Sequence, residues 1–243
     1  AGVAAAAARV RCGPHDVLVR ITSPLSLAVA DIQAAVGPDV DGLIVTKARG
    51  PDHIRLLDEL VSECEQRAGL PDGHTWFYLL VETPEALPQA EAIGRASRRA
   101  VAMSLGAEDF ALAIGAEPTE VALAVPKALL LHAARAAGLM ALGLTGTLAG
   151  FGDIDAFRAM AQRSRAMGFD GASCIHPAQV APLNEAFTPT ADEIAYAARV
   201  IEADHQAAAQ GLGAVALDGR MVDVPIVRRA ERLLTRAAAI AAR

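Results

Sequence analysis

Aromatic residues make up only 4% of this 243-residue chain, and lysine is almost missing: of 22 basic residues only Lys47 and Lys127 are lysines. With so few rings the hydrophobic mass, 53% of the residues, is aliphatic and rich in alanine, which favours close-packed helices over a β-sandwich. A chain this apolar buries enough surface to offset its ordering entropy, so bulk disorder is excluded. Cysteine is sparse as well. Cys12, Cys64 and Cys174 are odd in number, widely spaced and without a CxxC pair, which supports neither a disulfide framework nor a structural zinc site. They are expected to be small buried hydrophobes in a reducing compartment. No apolar run approaches the roughly 20 residues that a membrane span needs, and no charged-then-apolar signal segment opens the chain. A cytoplasmic protein with no membrane partner is therefore expected. The net charge is −6 and the arginines are scattered, so there is no basic stripe for nucleic acid, and small-molecule chemistry is the expectation.

What is present is a repeat of about 30 residues in which short apolar runs alternate with longer helical patterns. The runs are 17–21, 42–47, 76–82, 101–105, 141–144 and 172–175. Each is nearly continuous in apolar residues instead of alternating, as expected of parallel strands covered on both faces. Residues 52–67, 84–96, 118–137 and 154–167 carry apolar side chains at helical spacing. Gly69 and Gly138 read as helix stops, Thr83-Pro84 and Asp153 as starts.

Two parallel α/β architectures compete. A doubly wound nucleotide binder should show a glycine-rich fingerprint after its first strand, and none is present. Polar and charged residues stand instead at the ends of several strands: Arg20, Lys47, Glu82, Glu108 with Asp109, Thr145 and His176. A (β/α)8 TIM barrel builds one active site from many strand ends in this way, and it is the expected fold. Only six strands are visible where eight are needed, and the chain opens without Met on a helical alanine run, so the first strands are expected to be absent from this sequence. Residues 1–187 form the expected barrel domain and 188–243 a C-terminal helical arm, with a short helix at 179–187, a long one at 191–210, a Gly211-Leu212-Gly213 joint and a final helix from Ile226. That Gly-hinged element is a candidate lid or subunit-exchange arm, or a plain helical appendage.

In a barrel, Glu82 and Asp109 would point into one mouth from adjacent strands. Two hard oxygen donors converging there suit Mg²⁺, although a single carboxylate at a strand end is more often a cap or a surface charge. Arg20 could grip a carboxylate or carbonyl oxygen bidentately, or form an ion pair with those same acids. Lys47 is read as a snorkelling strand-end residue ahead of a phosphate or enolate partner. His176 is read as a loop-tying residue ahead of an acid-base group, and mid-helix His132 as packing. Cys174, although next to His176 but one, is not a nucleophile by adjacency alone.

Several stretches together resemble the citrate lyase beta-subunit-like family of the HpcH/HpaI aldolase superfamily. They are Val17-Leu18-Val19-Arg20, Val81-Glu82-Thr83, Gly106-Ala107-Glu108-Asp109-Phe110, Gly168-Phe169-Asp170-Gly171, Cys174-Ile175-His176-Pro177-Ala178-Gln179-Val180, Asn184-Glu185-Ala186-Phe187 and Asp218-Gly219-Arg220-Met221-Val222-Asp223. The matches run in order over nearly the whole chain. The resemblance implies a Mg²⁺-dependent enzyme that cleaves or forms a carbon-carbon bond in an acyl-CoA thioester, as malyl-, citramalyl- and citryl-CoA lyases do. It implies Glu82 and Asp109 as metal ligands, Arg20 and Glu82 as substrate contacts, and Arg20 and Asp223 as catalytic residues. Asp223 would be the acid-base group that the arm delivers into a neighbouring subunit's site within a homotrimer.

The sequence departs from that family in lacking its early Asp-Leu-Glu-Asp motif, and Pro84-Glu85-Ala86 differs from the usual loop after Glu82. The glycine-rich loop 145–152 is expected to shape the acyl pocket. Two other functions stay open: a beta subunit of a multi-subunit citrate lyase acting on a carrier-bound thioester, and a catalytically silent barrel that binds CoA esters.

Overall fold

The computed structural model describes residues 2–11, 13, 15–147, 152–209 and 211–242. It comprises two compact units, Ala1–Leu183 and Asn184–Arg243. In chain order the first contains α1 (Gly2–Val10), β1 (Leu18–Ile21), α2 (Leu25–Ala35), β2 (Gly42–Val45), α3 (Pro51–Ala68), β3 (Trp76–Val81), α4 (Ala90–Gly94), β4 (Ala100–Leu105), α5 (Ala107–Ala113), α6 (Glu120–Ala136), β5 (Met140–Ala141) and α7 (Ile154–Met167). Helix α8 (Val180–Phe187) includes the boundary, and the second unit continues with α9 (Ala191–Ala209), β6 (Val215–Leu217), β7 (Arg220–Val222) and α10 (Val224–Ala241). Among the described residues no helix is long and apolar enough to cross a membrane.

The five strands of the first unit lie in chain order, β1-β2-β3-β4-β5, every neighbouring pair parallel. A parallel bridge from Leu142 to Gly171 continues the series to a sixth position. A doubly wound sheet reverses its strand order partway, whereas a β/α barrel steps around in sequence, and the second pattern is the one found. The registers Arg20↔Ile44, Val45↔Leu79 and Val81↔Leu105 bring the C-terminal ends of four strands to one rim. The apolar runs form strands because helices cover them: Phe77, Leu79, Val81 and Met103 are fully buried. On α3, Ile54, Leu57, Val61 and Cys64 make the inward stripe that does the covering, at helical spacing. A fully buried aliphatic side chain of this kind contributes about 1.5–3 kcal/mol, so these stripes hold the strands and their covering helices together.

Helix ends follow the local chemistry. Gly69, at φ 68°, takes the left-handed conformation that closes α3, and the Asp153 carboxylate caps α7 by accepting the Ala156 N–H. Two expected elements differ. Instead of one helix over 84–96, the chain makes a turn at Thr83, a 3-10 turn over Leu87–Gln89 and the short α4, because Pro84 and Pro88 supply no N–H to a helical ladder. The expected strand at 172–175 pairs only through Gly171, and residues 173–175 are exposed with no further strand beside them among the described residues.

In the second unit α9, α10 and the β6-β7 hairpin enclose a small core of Ala197, Val200, Val222, Val227 and Ala230. The hairpin turns on Asp218 and Gly219, both at positive φ (52° and 75°), the pairing that a two-residue hairpin loop demands. Asp223 follows directly and is the N-cap of α10, whose first turn tolerates Pro225; the helix therefore begins two residues ahead of the expected Ile226.

Candidate active site

The apolar run of β3 ends at Glu82, which is only 4% exposed. Its carboxylate is held by a neighbouring strand: the Lys47 main-chain N–H donates to Glu82 Oε2 at 3.0 Å. On its other flank it packs against Gly106, where a Cβ would lie 2.4 Å from Glu82 Cγ and 2.9 Å from Oε1. Glycine at 106 is thus required by the carboxylate's position. Gly106 also bonds back to Val81 O at 2.9 Å and leads into α5, whose first turn carries Glu108 and Asp109. The Lys47 ammonium reaches Asp109 Oδ1 at 3.0 Å.

Arg20, from β1, completes the cluster. Burial pushes the Glu82 carboxyl above its ordinary range and the charge of Asp109 adds to this, against the Lys47 N–H and the positive charges of Lys47 and Arg20. The structure therefore brings Arg20, Lys47, Glu82 and Asp109 to one rim. Asp223, the remaining site residue that the resemblance implies, belongs to the second unit, at the head of α10. Lys47 is not the snorkelling residue expected, since both its main chain and its ammonium are engaged with the acids.

Two converging carboxylates, one buried and raised by that burial and by the charge of the other, are a hard-oxygen donor set whose repulsion a divalent cation relieves. Among the described residues no group of three or more His, Cys, Asp or Glu side chains forms a metal cage. Mg²⁺ does not require one, because it is held through one or two carboxylates with water and substrate oxygens completing the octahedron. The residues present fit that ion.

A cavity of about 580 Å³ opens beside the cluster, lined by Arg20, Leu80, Glu108, Phe169 and other residues of the strand ends. Tyr78, two inward positions below Glu82, donates to Ser104 Oγ at 2.8 Å and lies 3.4 Å from Ser173 Oγ. Lys127 was not anticipated as part of this wall. It is 3% exposed and donates to the carbonyls of Thr145, at 3.0 Å, and Gly146. Burial lowers its pKa to about 8 against the opposing pull of Glu120 and Glu108. The only trace in the sequence is a lysine standing in the inward stripe of α6, between Leu123 and Leu130. Thr145 is fixed further by Ser164 Oγ and Glu120, both at 2.8 Å. Residues 148–151 of the glycine-rich loop lie outside the described residues.

Other expectations resolve locally. His176 Nδ1 accepts the Ala178 N–H at 3.2 Å while the Gln179 side chain accepts the N–H groups of Ile175 and His176, a reciprocal cap that ties the loop down as expected. His132 is exposed and not a packing residue, because its place on α6 falls between the buried positions 131 and 134. Cys64 is buried and its thiol is pushed up by burial, but Cys174 is exposed on the cavity wall, contrary to expectation, because among the described residues no strand covers 173–175. Cys12 lies outside the described residues.

The comparisons bear on the family and the fold. Residues 2–177 match the family model for HpcH/HpaI aldolase/citrate lyase. The chain is 33% identical over 226 residues to the citrate lyase subunit beta of Haemophilus influenzae, covering 91% of this chain and 77% of that protein. It is 32% identical over 233 residues to the L-malyl-CoA/beta-methylmalyl-CoA lyase of Cereibacter sphaeroides, covering 88% and 72%. Among solved structures, CitE from Mycobacterium tuberculosis in complex with magnesium, acetoacetate and coenzyme A aligns at a TM-score of 0.72 with 26% identity, over 97% of this chain and 84% of that one. With its consecutive parallel strands and a family match over most of its length, the chain belongs to the HpcH/HpaI aldolase/citrate lyase family.

Proposed function

We propose that the protein is a Mg²⁺-dependent carbon-carbon lyase acting on a 3-hydroxyacyl-CoA thioester of the malyl-, citramalyl- or citryl-CoA type, releasing acetyl-CoA and an oxo acid. The observation that carries this reading is the convergence of Glu82 and Asp109, with Arg20 and Lys47, at the C-terminal rim of a consecutive parallel sheet. Relatives named as lyases of such thioesters support it. Glu82 and Asp109 would hold the ion. When bound, Mg²⁺ supplies Lewis acidity toward substrate oxygens and a template for the oxo-acid half.

The remaining chemistry falls to the chain's own side chains. The Arg20 guanidinium, exposed at the end of β1, would hold a substrate oxygen and stabilise the negative charge that develops as the carbon-carbon bond breaks. Asp223 would exchange a proton with the acetyl carbon, presented by residues 188–243 acting as an arm to a neighbouring subunit of a homotrimer. That carboxylate stands between the end of β7 and the first turn of α10. A cytoplasmic location accords with such a substrate.

The test is a cleavage assay of the purified protein with malyl-, citramalyl- and citryl-CoA, following acetyl-CoA release by mass spectrometry with EDTA as control. Cleavage of one ester that EDTA abolishes is the expected result. A second reading, the beta subunit of a multi-subunit citrate lyase, is favoured by the name of the Haemophilus influenzae relative. It predicts metal binding without cleavage of any free CoA ester, and turnover only on a carrier-bound thioester with partner subunits. Asp223→Ala should lose turnover and keep metal affinity; retained turnover would reduce the arm to a structural role.

A further inference from the structure

Lys47 does something that a lysine at a strand end ordinarily does not. Its φ is 50°, in the left-handed region that side chains with a Cβ rarely adopt. The backbone is held there from both sides: Thr46 Oγ1 donates to Ile21 O at 2.9 Å on β1, and the Ala48 N–H donates to Leu80 O at 2.9 Å on β3. Strain persists where the surroundings over-determine it, and it clusters where function needs an otherwise unavailable geometry.

The geometry gained is a double grip. The Lys47 N–H holds Glu82 Oε2 at 3.0 Å while its ammonium holds Asp109 Oδ1 at 3.0 Å, so one residue touches both acids, one through its main chain and one through its side chain. The two grips differ in mobility. The N–H is fixed by the backbone, whereas the lysine side chain is 44% exposed and ends at the solvent-accessible Asp109. A divalent cation that binds Asp109 through Oδ1 takes the ammonium's place, since two cations cannot share one carboxylate oxygen at contact distance without strong repulsion.

We propose that Lys47 is the exchangeable counter-ion of the acidic pair: it neutralises Asp109 before the metal enters, is displaced by the metal, and then offers its ammonium to the carboxylate of a bound 2-oxo acid. The main-chain N–H keeps Glu82 aimed throughout, so Lys47 is a positioning residue for Glu82 and a binding residue for the oxo acid. This inference rests on the Mg²⁺ reading above.

Mn²⁺ titration of the full chain by electron paramagnetic resonance, followed by pyruvate titration at saturating Mn²⁺ by calorimetry, tests it without any turnover. Lys47→Met keeps the N–H and removes the ammonium. Its Mn²⁺ affinity should rise about five-fold, the scale of one half-exposed ion pair. Its pyruvate affinity should fall about ten-fold, the scale of a hydrogen bond between charged groups. Lys47→Arg should restore both toward the starting values. A merely structural lysine would move the two affinities together or not at all, and either result overturns the proposal. Should the unaltered chain bind no Mn²⁺, or Asp109→Asn bind it equally well, the metal assignment itself fails and this inference with it.

Discussion

The two ends of the same pair of strands hold opposite kinds of charge cluster. At the N-terminal ends of β3 and β4, Arg99 is 1% exposed at its side chain and saturates its guanidinium: Glu65 at 2.7 Å through both oxygens, Asp58 at 2.5 Å, Ser62 at 2.8 Å, and Thr75 O and Asp72 at 3.1 Å. Glu65 in turn accepts the N–H groups of Thr75 and Gly73. At the C-terminal ends, Glu82 is buried with its charge only partly compensated and its carboxyl pushed up, next to a half-exposed Asp109 and a strained Lys47. Burial acts to raise Glu65 as well, but the Arg99 hydrogen bonds and the two N–H donors outweigh it and hold that carboxyl below its ordinary range. A fully satisfied buried network fixes a structure, whereas an under-compensated one at the barrel mouth leaves room for a cation and a substrate.

The comparison can be broken most forcefully at the satisfied end. Arg99→Met leaves Glu65 buried and uncompensated and should cost about 3–5 kcal/mol, read from urea unfolding. At the open end, Asp109→Ala should lower Mn²⁺ affinity by at least about 100-fold and abolish turnover while the unfolding midpoint stays close to that of the unaltered protein. Unchanged metal affinity there would sink the ligand assignment. Gly106→Ala, which drives a Cβ into Glu82, should cost about 1–3 kcal/mol and weaken metal binding together, because the clash is relieved only by moving the carboxylate.

The smallest effects are the most discriminating in sign. Glu65 has a folded-state pKa below its unfolded value, so its contribution is present above about pH 4.5 and is lost as the pH falls through the folded value. Glu65→Gln should therefore destabilise the protein at pH 7 and flatten the acid limb of its stability profile. Glu82 is raised, so the metal-free folded state is penalised as the pH climbs through that value and the carboxyl ionises. Glu82→Gln should stabilise the metal-free protein at pH 8 by up to about 1 kcal/mol while impairing metal binding, the usual trade of stability against function. Destabilisation by both substitutions would erase the distinction between the two ends.

Much of the architecture was legible in the sequence because parallel strands covered on both faces leave an unmistakable mark: continuous apolar runs at 76–82 and 101–105, separated by helical stripes. The polar residues that close those runs, Arg20, Glu82 and Asp109, could be placed at one rim by counting strands, and they do converge there. The Asp218-Gly219 pair is a hairpin signal carried by the sequence itself, and β6 and β7 pair around it. Neither the Arg99–Glu65 network nor the burial of Lys127 could be read in this way, because their partners stand 34 residues apart in one case and are main-chain carbonyls in the other.

What the sequence by itself determined is periodicity: which segments are strands, which faces are apolar, where helices stop, and which charged residues terminate the strands. Those properties are local, set by side-chain spacing and by the conformational preferences of glycine and proline. The tertiary structure decided how charges are compensated. The left-handed turn at Lys47, the glycine wall beside Glu82 and the saturation of Arg99 depend on where three or four distant segments meet, and the cost of a buried charge depends on every partner that reaches it.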